Sequence, residues 1–200
     1  MAKSYHHGDL KAAAIKKTVE IIHKKGDVDF TLREIAQSLK VSHAAIYRHF
    51  KSKQDLLSHI AEEGFSFLVA DFENIPNAAR PSRNRLLSLG KTYIDFALRS
   101  PGHYRCMFHN ELRCAEEQRP ELEDIALKAF QYLEDSIQSG IKDGLFRKEA
   151  AEATARSIWA GIHGFSILML DGQFQGLTKK SDIELAIDSH LKFLERSFTK

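Results

Sequence analysis

The chain has 200 residues, enough for one hydrophobic core with a small appended module, and its 43% hydrophobic and 28% charged content excludes disorder and fibrous repeats. The formal charge of +2 hides an asymmetry: residues 1–60 hold eleven Lys and Arg against six Asp and Glu, with six of the ten His, and the remainder holds eighteen against twenty-one. A basic segment on a mildly acidic body points to a polyanion partner at one end, while the lack of any run near the roughly 20 apolar residues of a membrane span, or of an apolar signal core after His7, leads us to expect a cytoplasmic protein with no membrane partner.

Apolar residues recur at helical spacing almost throughout, and no segment alternates as a strand does, so the expectation is an all-α fold. Leu10, Ala14, Thr18, Ile21 and Ile22 give a first helix that Gly26 closes. Thr31 and Glu34 have the form of a capping box, starting a short helix whose apolar face is Leu32, Ile35, Ala36 and Leu39. Ser42 caps the next helix, which reaches Phe50 and buries Ile46. Ser52 caps a longer helix that ends before Pro76, and Asn74 to Ser82 reads as a loop. Further helices are expected near 83–99, 102–112, 120–142, 149–170 and 181–197, the last opened by a capping box of Ser181 and Glu184. On it, Ile183, Ile187, Leu191 and Leu194 form a stripe suited to burial in a dimeric bundle.

Two short helices joined by a tight turn, Thr31 to His49, make a helix-turn-helix. The second helix of such a motif must enter the major groove without bulk at its start, and Ser42, His43, Ala44 and Ala45 are small or polar. Tyr47, His49, Lys51 and Lys53 follow, where hydroxyl, imidazole and ammonium groups can hold phosphates.

The run from Thr31 to Leu39, followed by Val41 to Leu57, resembles the DNA-binding signature of TetR-type repressors, with its Tyr-x-His-Phe-x-x-Lys-x-x-Leu series present as Tyr47, His49, Phe50, Lys53 and Leu56. Tyr5 to Leu10 and the run Trp159 to Gly164, of the form Trp-x-x-x-His-Gly, are similar to features at the two ends of one subgroup. The resemblance implies a helix-turn-helix DNA-binding domain over 1–55 and a helical ligand-sensing and dimerisation domain over 56–200. It implies that Arg33 reaches a base, that Tyr47 and Lys53 hold phosphate, that the last two helices pair in a homodimer, and that the middle helices surround a small-molecule cavity. Together the two readings name Thr31, Arg33, Ser42, His43, Ala44, Ala45, Tyr47, Arg48, His49 and Lys53 as DNA-binding residues, and Met107, Phe108, Phe130, Trp159 and His163 as candidate effector contacts or plain core. His6 and His7 are candidates for backbone phosphate or for part of a mobile arm. One departure stands out: the family places Gly in the turn where this chain has Lys40, and a left-handed non-glycine residue costs roughly 1 kcal/mol, so a strained or altered turn is expected.

The function this implies is a DNA-binding transcriptional regulator, a repressor released from a palindromic operator by a small organic effector, with no cofactor. The alternative is an architectural or cell-division factor that uses DNA to organise a protein partner on the same fold. An enzyme is not expected, because no nucleophile elbow, phosphate loop or metalloprotease helix is present. His103, Cys106 and His109 are spaced to face one ion, but three ligands without a fourth make a weak metal set, and packing or surface placement is the reading preferred. The two cysteines, Cys106 and Cys114, are read as reduced thiols.

Overall fold

The computed structural model describes residues 10–76, 82–112, 119–148 and 151–200; His6, His7, Pro81 and Cys114 lie outside them. The helices are α1 (Leu10–Lys25), α2 (Leu32–Ser38), α3 (His43–Tyr47), α4 (Lys53–Glu73), α5 (Ser82–Arg99), α6 (Pro101–Met107), α7 (Pro120–Lys142), α8 (Ala151–Leu170) and α9 (Lys180–Phe198), with a 3-10 turn at Asn110–Leu112. Extended pairing among the described residues is confined to an isolated antiparallel bridge between Phe146 and Thr199. The all-α expectation holds. None of the described helices is long and apolar enough to cross a membrane.

Three expected boundaries shift. The helix foreseen as reaching Phe50 ends at Tyr47, with Arg48 as its C-cap. The helix foreseen over 102–112 stops at Met107, because Phe108 leaves helical geometry (φ −119, ψ 16) and its ring packs edge-on against Phe65 and Tyr104 at 5.6 and 5.3 Å. Tertiary aromatic packing here overrides local propensity. The capping box at Ser181 does not form. The chain turns helical earlier, with the N–H groups of Asp182 and Ile183 donating to the Lys179 carbonyl; Ser181 then lies inside the first turn and donates to Asp182 (3.2 Å), while Glu184 faces Lys180 at 3.8 Å.

The chain divides into two compact units, and α4 contributes to both. The first comprises residues up to Ser66 together with Ser100–Asp124. Its core takes Leu10, Ala14 and Ile22 from α1, Ile35 and Ala36 from α2, Ile46 from α3, Leu56, Leu57 and Ile60 from α4, and Cys106 from α6. Packing thus extends this unit beyond the 55/56 boundary read from the motif. Residue 102 explains how α6 joins α1: a Cβ there would stand 2.5 Å from the Val19 carbonyl oxygen, so the approach requires glycine. Burial pushes the Cys106 thiol up to about 12, and among the described residues His103, Cys106 and His109 do not form a group that could hold a metal ion. His103 Nε2 instead lies 3.4 Å from Glu63, and His109 Nδ1 accepts from the Glu111 N–H.

The second unit comprises Phe67–Arg99 and Ile125–Lys200. α5 packs against α8 and α9, and α8 against α9. The α9 stripe is used inside the chain: Ile187 and Leu191 are buried, and Leu191 meets Gly90 of α5 so closely that a Cβ on Gly90 would come within 2.6 Å of it. Large apolar side chains left outside in this unit include Phe67 on α4, Leu127 on α7, Leu168 on α8, and Leu185 and Phe193 on α9. A buried carboxylate, Glu195, is held by Arg83 of α5 at 2.9 Å and by the Thr199 hydroxyl at 2.8 Å.

Candidate nucleic-acid interface

The motif is assembled by its caps. Thr31 Oγ1 accepts from the Glu34 N–H (3.2 Å), and Glu34 Oε2 accepts from the Thr31 N–H (2.6 Å), completing the reciprocal box. These contacts, with Lys25 nearby, hold the Glu34 carboxyl below its usual value. Ser42 Oγ accepts from the Ala45 N–H (3.2 Å) and starts α3; Ser52 Oγ accepts from Asp55 (3.1 Å) and starts α4. Between α2 and α3, Lys40 sits at φ 57, the positive-φ non-glycine residue among those described. The Val41 N–H reaches the Ala36 carbonyl (3.0 Å) and the Lys40 N–H the Gln37 carbonyl (3.1 Å), which is a Schellman closure. The turn therefore keeps the geometry that glycine favours and carries the strain foreseen for lysine. Because Lys40 is exposed, Lys40→Gly is expected to add about 1 kcal/mol and raise Tm by about 2–4 °C in a thermal melt. A lower Tm would show that the lysine side chain does something the turn geometry does not.

The residues named for DNA fall into three groups. Arg33 on α2 and His43, Ala44, Tyr47 and Arg48 along α3 and its C-cap are exposed, with Tyr47 48% exposed and stacked edge-on against His43 at 4.7 Å. Thr31 and Ser42 are exposed but committed to capping. Ala45, His49 and Lys53 are half-buried, and Ala45 packs on the core.

Lys53 is the most constrained of them. Its ammonium donates to Glu111 of the 3-10 turn at 2.8 Å and lies 5.3 Å over the Phe30 ring. A few residues on, Arg119, just ahead of α7, reaches the same end of α4, contacting His59 Nδ1 at 2.6 Å, Glu62 at 3.1 Å and Asp55 at 3.8 Å. Glu111 and Arg119 were not signalled by the sequence, since their partners lie dozens of residues away and neither stands in a motif.

Residues 14–60 match the family described as bacterial regulatory proteins, tetR family, and residues 86–194 match the tetracyclin repressor-like C-terminal domain. The chain belongs to the TetR family. It is accordingly a DNA-binding regulator and not an enzyme. Among curated proteins it is 24% identical to the nucleoid occlusion factor SlmA of Marinobacter nauticus, over 88% of this chain and 87% of that one. Among solved structures it resembles a tetR-family regulatory protein from Rhodococcus RHA1 (TM-score 0.73, 24% identity, 98% and 97% of the two chains). It also resembles AibR solved with isovaleryl coenzyme A and operator DNA (TM-score 0.67, 19% identity, 92% and 97%).

Of the residues named for an effector in this TetR chain, Met107 and Phe108 belong to the first unit, Met107 buried and Phe108 within the aromatic cluster with Phe65 and Tyr104. In the second, Trp159 and His163 both meet Tyr93 of α5, with Phe130 against Trp159; no motif in the sequence marks Tyr93. Trp159 Nε1 donates to the Tyr93 oxygen at 3.2 Å, and that oxygen is 3.1 Å from His163 Nδ1. An indole N–H can only donate, so the phenol oxygen accepts from Trp159, and the direction of its bond with Nδ1 follows the His163 tautomer. Burial holds the His163 pKa below its ordinary value, which favours the neutral imidazole. Phe130 meets the Trp159 ring edge-on at 6.4 Å. Arg156, a conceivable anion contact, is exposed and paired with Glu152 on its own helix.

Proposed function

We propose that this TetR-family chain is a transcriptional repressor that binds a palindromic operator as a homodimer and is released from it by a small organic effector. The observation that carries the DNA reading is the exposed face formed by Arg33, His43, Ala44, Tyr47 and Arg48 on a capped helix-turn-helix within the basic part of the chain. Arg33 and His43 are assigned to base edges, and Tyr47, Arg48, His49 and Lys53 to phosphates. Ala44 and Ala45 leave α3 slim enough for the groove, while Thr31 and Ser42 fix the two helices. The homodimer is assigned to α8 and α9, supported by the exposed Leu168, Leu185 and Phe193 and by the open space at Gly164, where an added Cβ would meet nothing within 4 Å. The protein acts in the cytoplasm, where its DNA lies.

For the effector, the cluster of Phe130, Trp159 and His163 with Tyr93 supports a mainly apolar molecule with few polar groups. The AibR structure supports the idea that one such scaffold takes both an organic molecule and operator DNA. Met107 and Phe108 are assigned to packing of the first unit. Linkage requires that DNA and effector weaken each other's binding by one common factor.

The test is selection of bound duplexes from a random pool, followed by release with a panel of organic metabolites. Affinity should fall log-linearly with salt, and His43→Ala or Arg33→Ala should flatten preference at particular base pairs by about 1–3 kcal/mol each. Lys53→Ala should weaken all sequences alike. Absence of salt-sensitive DNA binding would refute the assignment, and hundreds of scattered chromosomal sites insensitive to every metabolite would indicate an architectural role instead.

A further inference from the structure

The first unit places an anion of the chain's own beside a cation assigned to DNA. Lys53 opens α4 directly after Lys51 and Ser52, yet its ammonium turns to Glu111 at 2.8 Å, and both side chains keep partial access to solvent (28% and 36%). A carboxylate and a phosphate oxygen make the same kind of claim on an ammonium, and one ammonium cannot satisfy both at full strength. Glu111 stands in the short turn that follows α6. Arg119 in turn grips Asp55, His59 and Glu62, so Glu111 and Arg119 both pair with the N-terminal half of α4.

We propose that Glu111 is a positioning residue that acts as an internal competitor of phosphate for Lys53, so that the Glu111–Lys53 pair sets how much positive charge the reading head offers to DNA. The inference rests on the assignment of Lys53 to a phosphate. Half-exposed ion pairs are weak, so Glu111 attenuates DNA affinity rather than abolishing it; its removal corresponds to roughly a two- to five-fold gain. The gain is blind to sequence, because phosphates carry no base information. Whatever draws Glu111 away from Lys53 raises affinity in the same way, and whatever drives the pair together lowers it.

The experiment uses the full chain and mixed-sequence duplex DNA, with affinity measured across a salt series for wild type, Glu111→Gln, Lys53→Ala and the double variant. Glu111→Gln is expected to tighten binding two- to five-fold. It should also steepen the slope of log affinity on log salt by up to about 0.9, the contribution of one further neutralised phosphate. In the Lys53→Ala background the same change should yield no gain. Equal gains in both backgrounds would reduce Glu111 to a contribution to net charge and overturn the proposal, as would unchanged affinity in the Glu111→Gln protein with an unaltered melting curve. If Lys53→Ala alone binds as tightly as wild type, the phosphate assignment itself fails and the proposal falls with it.

Discussion

Replacing Leu191 with Glu is expected to unfold the second unit rather than to release a folded monomer. Leu191 is 5% exposed within its own chain and stands where α5, α8 and α9 meet, against Gly90 and beside Ile162, in a groove whose charged lining residue is Glu195. A carboxylate there forfeits the leucine's packing, faces the buried Glu195 carboxylate in the same groove, and must either lose its hydration or force the helices apart, at a cost of more than about 4 kcal/mol. Circular dichroism should show lost helicity at room temperature or a collapse of Tm. Phe193, on the same helix but 70% exposed, provides the contrast. Phe193→Glu should leave the melting curve of the monomer fold intact while shifting sedimentation from dimer to monomer. If Leu191→Glu instead yields well-folded monomers, the stripe Ile183, Ile187, Leu191 and Leu194 belongs to the subunit interface after all.

A second large effect is expected at Arg83. Glu195 has a side chain only 1% exposed, and its charge is met by the Arg83 guanidinium and the Thr199 hydroxyl. Arg83→Met leaves a buried carboxylate with one hydroxyl for company. Breaking such a pair from one side costs about 3–5 kcal/mol when both partners are sealed. Arg83 is 53% exposed, so water can follow the vacated path, and a loss of roughly 2–3 kcal/mol in urea unfolding is the expected value. Substituting Glu195→Leu in addition should restore most of it, because removing both partners costs far less than stranding one. A change below about 0.5 kcal/mol for Arg83→Met would show that the carboxylate does not depend on the guanidinium.

What the sequence disclosed and what it withheld divide along contact range. Thr31, Ser42 and Ser52 were legible as caps because each bonds an N–H three residues away, and Lys40 was legible as a left-handed position because the turn around it is local. The exposed face of α3 follows from the same spacing. Tyr93 is a different case: it meets Trp159 and His163 across 66 and 70 residues, and nothing in its own neighbourhood marks it. Lys53 and Glu111, 58 apart, are alike in this, so a residue expected to face only phosphate also has a protein partner. The α9 stripe shows the limit of periodicity itself. An apolar face announces burial without naming what covers it, and here α5 and α8 of the same chain do so at Ile187 and Leu191. At Ser181 the capping pattern was present but idle, since Lys179 closed the first turn through its backbone alone.

The sealed position of Cys106 makes the first unit its own reporter. Its side chain lies in the core formed by α1, α2, α3 and α4, and a thiol pushed up to about 12 holds almost no thiolate at neutral pH. A disulfide reagent can attack it only after that core opens, so in a Cys114→Ser background the labelling rate counts opening events of the DNA-reading module. Timed modification, read by mass spectrometry with and without duplex DNA, would then measure how far operator binding slows the breathing of the helices that hold α3.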